Sequence, residues 1–207
     1  NISNNMYSHH NHRYHKYMKS QNIALSDTES IAIKLWTSSE QFTKTYHIES
    51  KNQNKHKWNL FTQSMTSAIL KIYVAIILDY SSNKGKNRVF RTIPDQIYRG
   101  TKRFDVNAKT WKLDSILSFT TSFNVAETFA ALSQQPNNSQ NCILKINNFE
   151  KYLIEQKIFA APIYWLSDYE YEKEWVVLPN PNRIIFNVKI SSEKINGGNL
   201  FNLNLLR

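Results

Sequence analysis

Apolar residues in the first half of the chain recur three and four apart, whereas in the second half they gather into short runs. Between Trp58 and Tyr80, residues Met65, Ile69, Ile72, Tyr73, Ile76 and Tyr80 keep the helical spacing, which predicts an amphipathic core helix ended by "DYSSNKGKN". Upstream, Ser26-Asp27-Thr28-Glu29 has the form of a capping box, in which a hydroxyl and a carboxylate satisfy free N–H groups at a helix start. The helix it opens carries Ile31, Ala32, Leu35 and Trp36 on one side.

The runs of the second half are "IYRGT" (97–101), "ILSFTT" (116–121), "CILKIN" (142–147), "EKEWVVL" (172–178) and "RIIFNVKI" (183–190). Each is rich in β-branched or aromatic residues and bounded by Asn, Pro, Gly or Ser, which predicts strands. Among them "NVAETFAALS" reads as a helix capped by Asn124, with Glu127 three residues on and Val125, Phe129 and Leu132 buried. "PNPN" at 179–182 predicts a hairpin between the last two runs, and "QQPNNSQN" at 134–141 a flexible loop. Within "DYEYEKEWVV" (168–177), strict alternation puts Glu170, Glu172 and Glu174 on one strand face. Residues 1–20 are polar and hold four of the six histidines, and they read as a flexible or loosely docked tail rather than a metal site. The expected organisation is a tail over 1–20, a helical lobe over 21–93 and a β-rich core over 94–207. The fold class is α+β, helices first and then a mostly antiparallel sheet assembly.

Composition narrows the functions. A net charge of +10 favours anionic partners: nucleic acid, an acidic membrane surface, or a phosphate-bearing small molecule. The single cysteine, Cys142, excludes an internal disulfide and a Cys-rich zinc site, and its place in an apolar run reads as a buried structural thiol. The longest apolar run, "AILKIYVAIIL", is interrupted by Lys71 and falls short of the roughly 20 residues that span a bilayer, so no membrane span is expected. The only glycines are Gly85, Gly100, Gly197 and Gly198, which leaves no room for a Rossmann fingerprint or a Walker loop.

Three stretches carry candidate chemistry. Arg99 in "IYRGT" suits a carboxylate or phosphate partner, and Gly100 beside it allows close approach to the backbone; a strand-edge Arg before a bend is the plainer alternative. "SFTTSF" (118–123) offers hydroxyls that could orient an acid, or could simply cap the next helix. Glu172 and Glu174, roughly 6–7 Å apart on a strand face, suit glycosyl transfer, one acid stabilising an oxocarbenium ion and the other handling a proton; a solvated acidic face is the alternative.

Taken in order, an aromatic-Arg-Gly strand, Thr-Thr-Ser ahead of a helix, and Glu-x-Glu leading into an apolar run resemble the arginine-specific mono-ADP-ribosyltransferases, with their Arg, Ser-Thr-Ser, Glu-x-Glu signature. "LSDTESIAIKLWTSS" is similar to the first helix of that family's helical lobe, so the resemblance covers about 22–190. It implies a two-sheet NAD-binding core, NAD as co-substrate, no metal, and a protein substrate with an exposed arginine. Arg99 would hold the NAD phosphates and Gly100 the carboxamide; Thr120 would position the catalytic acid, with Thr121 and Ser122 bracing the site. Glu174 would contact the nicotinamide ribose and stabilise the cation, while Glu172 would engage the acceptor guanidinium. Trp165 and Tyr169 would fall in the loop that meets the protein substrate.

Two positions depart from the family pattern: Thr120 stands where Ser is usual, and Pro179 falls one residue late. Glu170-Tyr171-Glu172 offers the same spacing, but "EKEWVVL" fits better because its second acid directly precedes the apolar strand. The resemblance further implies a bacterial toxin or effector, secreted or delivered into a target cell and acting in a reducing, cytosol-like compartment. NAD hydrolysis, and a non-catalytic basic module binding nucleic acid or protein, stay open as alternatives. Nucleic-acid modification fits less well, because that branch resembles Gln-x-Glu.

Overall fold

The computed structural model describes residues 9–50, 55–82, 88–90, 93–102, 104–131, 141–167, 169–179, 185–193, 195 and 198–206. Its contacts divide the chain into two units, Asn1–Thr92 with Ala161–Glu170, and Ile93–Ala160 with Tyr171–Arg207. The boundary after Thr92 falls where the residue pattern changes; the return of Ala161–Glu170 to the first unit has no counterpart in the sequence reading.

The first unit is helical: α1 His9–Ser20, α2 Asp27–Ser38, α3 Glu40–Glu49, a 3-10 turn at Lys55–Trp58, and α4 Asn59–Ser82. The capping box forms, Ser26 Oγ accepting from the Glu29 N–H at 3.3 Å and Glu29 Oε2 from the Ser26 N–H at 2.7 Å. Along α4 the periodic residues Met65, Ile69, Ile72, Tyr73 and Ile76 are buried, with Ala68 and Ala75 between them. Together with the turn before it, His56–Ser82 is long and apolar enough to cross a membrane by length and composition alone, a reach that the uninterrupted-run criterion misses.

Two expectations need correction here. On α2 the buried side is Ala32, Ile33 and Trp36, while Ile31 and Leu35 are 55% and 41% exposed. The face is turned because Glu29 is itself buried, bound to Ser67 Oγ at 2.5 Å and Lys71 Nζ at 2.8 Å. The supposed tail is helical from His9, since Tyr14, Tyr17 and Met18 form an apolar stripe: Met18 is buried, and Tyr14 stacks on Phe90 with ring centroids 4.9 Å apart. Among the described residues no group of three or more metal-ligating side chains occurs.

The second unit holds β1 Ile97–Thr101, β2 Thr110–Lys112, β3 Leu117–Thr120, α5 Phe123–Ala130, β4 Cys142–Ile146, α6 Phe149–Ile154, β6 Glu174–Val177, β7 Ile185–Ile190 and β8 Asn199–Leu205. Strand β5, Ala160–Pro162, spans the boundary between units. The sheet order is β2-β7-β8-β4-β1-β3-β6-β5. The β4–β8 pair is parallel, and β1–β3, β1–β4, β2–β7, β3–β6 and β7–β8 are antiparallel. Where two sheets were expected there is one hydrogen-bonded order, yet β1 and β3 share a single register pair, Tyr98 with Thr120.

The expected hairpin at 179–182 does not join its flanking strands, because β6 pairs with β3 while β7 pairs with β2 and β8. Residues 180–184 and most of the 134–141 segment lie outside the described residues. Helix α5 is capped by Ser122, not Asn124, and buries Ala126 and Ala130 while Phe129 is 41% exposed. The cause is Gly100: a Cβ there would lie 2.0 Å from the Ala126 carbonyl oxygen and 2.5 Å from the Ala130 nitrogen. Only a bare strand facing small residues lets the helix backbone rest so close.

Candidate active site

Strand β3 delivers the hydroxyl triplet at its C-terminal end, and its antiparallel pairing with β6 sets Thr120 opposite Glu174. Thr120 is buried, and its Oγ1 donates to the backbone carbonyl of Glu172 at 2.5 Å while accepting from the Ser122 N–H at 2.9 Å. The Thr121 N–H donates to the Lys173 carbonyl at 3.4 Å, and Ser122 Oγ caps α5 at the Val125 N–H, also at 3.4 Å. The triplet therefore grips the backbone of the acidic segment and starts a helix, which adds a definite contact to the positioning role expected of Thr120.

The acidic segment is not a continuous strand. Glu170–Glu172 form a 3-10 turn, Lys173 has φ 47°, and β6 begins at Glu174. The expectation that Glu170, Glu172 and Glu174 share one strand face is overturned, because the left-handed residue between turn and strand breaks the alternation. Glu174 is 9% exposed, Glu172 partly covered and Glu170 exposed. In the rival pair Glu170-Tyr171-Glu172, both acids lie in the turn.

Arg99 sits on β1 opposite Leu144, and its guanidinium donates to the Ser118 carbonyl of β3 at 2.7 Å. Burial lowers its pKa to about 10, against which the charge of Glu174 acts. Arg99 on β1 and Glu174 on β6 thus flank strand β3, and the charge of Glu174 acts on Arg99 from its far side. Burial also raises the pKa of Glu172 above the ordinary glutamate value. One acid thus acts through its charge on a cation, and the other is biased toward keeping a proton.

Gly100, expected to admit a ligand, presents the side without its Cβ to α5 rather than to open space. Trp165 and Tyr169 belong to the first unit. Trp165 is 1% exposed, its Nε1 donating to the Pro162 carbonyl at 2.9 Å and its ring 5.0 Å from that of His15. Trp165 is a core residue, whereas Tyr169 is exposed. Cys142 is fully buried on β4 with its pKa pushed up to about 12 by burial, as a structural thiol should be. Lys173 is the residue that sequence reasoning missed, for Lys carries no local signal of a left-handed backbone.

No protein-family model and no curated protein sequence matches the chain. Solved structures do. Exoenzyme S from Pseudomonas aeruginosa, in complex with human 14-3-3 protein beta and bound to carba-NAD, aligns with 92% of this chain and 81% of its own at a TM-score of 0.52 and 16% identity. The ADP-ribosyltransferase HopU1 of Pseudomonas syringae pv. Tomato DC3000 covers 97% of this chain and 99% of its own at 0.52 and 14% identity. An ADP-ribosyltransferase from Clostridium botulinum covers 100% of both chains at 0.51 and 11% identity. The chain has the fold that these bacterial proteins share.

Proposed function

We propose that this chain is a mono-ADP-ribosyltransferase that moves ADP-ribose from NAD to an arginine side chain of a target protein. The observation that carries the reading is the pairing in β3–β6 register of Thr120 with the buried Glu174, whose charge acts on Arg99, while a second acid of raised pKa lies two residues away. Shared fold with proteins that include ADP-ribosyltransferases supports it, as does the order of the three motifs.

In this reading Arg99 binds the NAD phosphates, Gly100 lies by the carboxamide, and Thr120, Thr121 and Ser122 hold the acids in place. The bond from ribose C1′ to the nicotinamide nitrogen breaks, and its electron pair leaves with nicotinamide. Glu174 stabilises the oxocarbenium ion left behind. A guanidine nitrogen of the acceptor then bonds to C1′, and its proton passes to Glu172, whose raised pKa makes it a stronger base than an ordinary glutamate. No metal takes part. Delivery into a target cell accompanies the reading, since the neighbours include an ADP-ribosyltransferase toxin.

Nicotinamide release from NAD, with and without agmatine as an arginine mimic, tests it in wild type, Glu172→Gln and Glu174→Gln. Glu174→Gln is expected to lose both transfer and hydrolysis by about 10²-fold or more, the scale of an electrostatic stabiliser. Glu172→Gln is expected to keep NAD hydrolysis and lose transfer to agmatine. If wild type leaves NAD intact under all conditions, the reading is wrong.

A further inference from the structure

On a regular strand the two acids would share a face, and here the strand is broken between them. Glu172 closes a 3-10 turn, Glu174 opens β6, and the change of direction is concentrated at Lys173, whose φ of 47° is rare for a residue with a Cβ. The backbone on both sides of the break is latched to β3: the Glu172 carbonyl by Thr120 Oγ1 at 2.5 Å, the Lys173 carbonyl by the Thr121 N–H at 3.4 Å. Thr120 Oγ1 is itself fixed by the Ser122 N–H at 2.9 Å, so the latch is a connected set and not one stray contact. The Lys173 side chain is exposed, and the position contributes through the shape of its backbone. Such over-determined strain beside reactive groups marks a functional constraint.

We infer that Lys173 is a positioning residue, whose left-handed backbone, latched by Thr120 and Thr121, sets the direction of Glu172 independently of Glu174. This inference rests on the transferase reading and assigns a control point within it: a single dihedral governs how the ribosyl cation is shared between a guanidine acceptor and water. Glu174, anchored in β6, serves the cleavage common to both outcomes, and Glu172, hung from the turn, serves the acceptor alone.

The test uses the full chain with Lys173→Gly, Lys173→Asn and Lys173→Val. All three remove the ammonium charge, but Gly and Asn accept a left-handed backbone and a β-branched Val resists it. NAD is supplied with agmatine, and ADP-ribosyl-agmatine and free ADP-ribose are measured together, with the agmatine KM and kcat. The expected result is a product ratio within about twofold of wild type for Gly and Asn, and about tenfold lower for Val with a raised agmatine KM, as misplacement of one group requires. A merely structural role would lower both products in parallel. Should the valine variant fail to fold, Lys173→Thr provides the same β-branched contrast. A ratio lost equally in Gly, Asn and Val would show that the charge acts, and a ratio kept in Val would show that the dihedral does not; either overturns the inference alone. Absence of nicotinamide release by wild type overturns it together with the reading beneath it.

Discussion

Glu174 holds its carboxylate at a nearly buried strand position, where an ionised group without compensation is strongly disfavoured, and Arg99 supplies the opposing charge. Removing the cation should therefore cost stability as well as the NAD contact proposed for it. Arg99→Ala should destabilise the fold by about 1–3 kcal/mol by urea unfolding, a range discounted for partial exposure, and adding Glu174→Gln should restore part of the loss. Additive losses in that double-mutant cycle would mean that the two charges do not interact. Glu172 gives a pH signature. Its folded pKa is raised by burial, so the protonated form persists to higher pH than in an ordinary glutamate. In the proposed mechanism transfer to agmatine needs the base form and should fall on acidification at a higher pH than an ordinary glutamate would give, while hydrolysis in Glu172→Gln should lack that limb. The same sign makes the side chain a small stability gain at low pH that fades as pH rises through the folded pKa.

At the scale of elements, α2 is joined to α4 through Glu29, whose side chain caps one helix and reaches Ser67 and Lys71 on the other. Burial pushes the Glu29 pKa up, but hydrogen bonds from Lys71, Ser67 and the Ser26 N–H together hold it below the ordinary value. A depressed pKa contributes stability that is present above the unfolded pKa and lost as pH falls through the folded one. Glu29→Gln should thus cost about 1–2 kcal/mol at neutral pH, with the deficit shrinking in acid. Gly100→Ala should be worse tolerated than any surface change, at about 2–3 kcal/mol, because its methyl would meet the Ala126 carbonyl at 2.0 Å. These elements also show what a sequence can reveal. The capping box and the α4 stripe are local patterns and could be read directly. Strand β8, "NLFNLNL", alternates correctly but hides behind asparagines, which are poor strand formers. The acids of 170–174 imitate a strand because alternation is all that local spacing can report; the turn at Glu170–Glu172 is held by the Thr120 hydroxyl of β3, some fifty residues earlier.

For the molecule as a whole, the fold class was legible where overall similarity is slight, since the three solved structures share 16% identity or less with this chain. In this chain Arg99, Thr120 and Glu174 lie on three adjacent strands, β1-β3-β6. The division of the chain could not be read in the same way. Its second boundary depends on Tyr164 and Trp165 packing with α1, contacts separated by about 150 residues, with Tyr14 and Tyr164 hydroxyls 3.5 Å apart. The surplus of positive charge should matter at this scale too. The KM for NAD is expected to rise with added salt, as attraction between a chain of net charge +10 and an anionic dinucleotide is screened.

Because Ala161–Glu170 returns to the helical unit before the acids are reached, the chain crosses between its units at 92/93, 160/161 and 170/171. Neither unit can be released by a single cut. A piece starting at residue 93 would carry Tyr164 and Trp165 without Tyr14 and His15, the neighbours that cover them. Recombination that swaps helical lobes between related chains must therefore transplant two separate stretches at once, and crossovers that move only the leading stretch should yield insoluble hybrids.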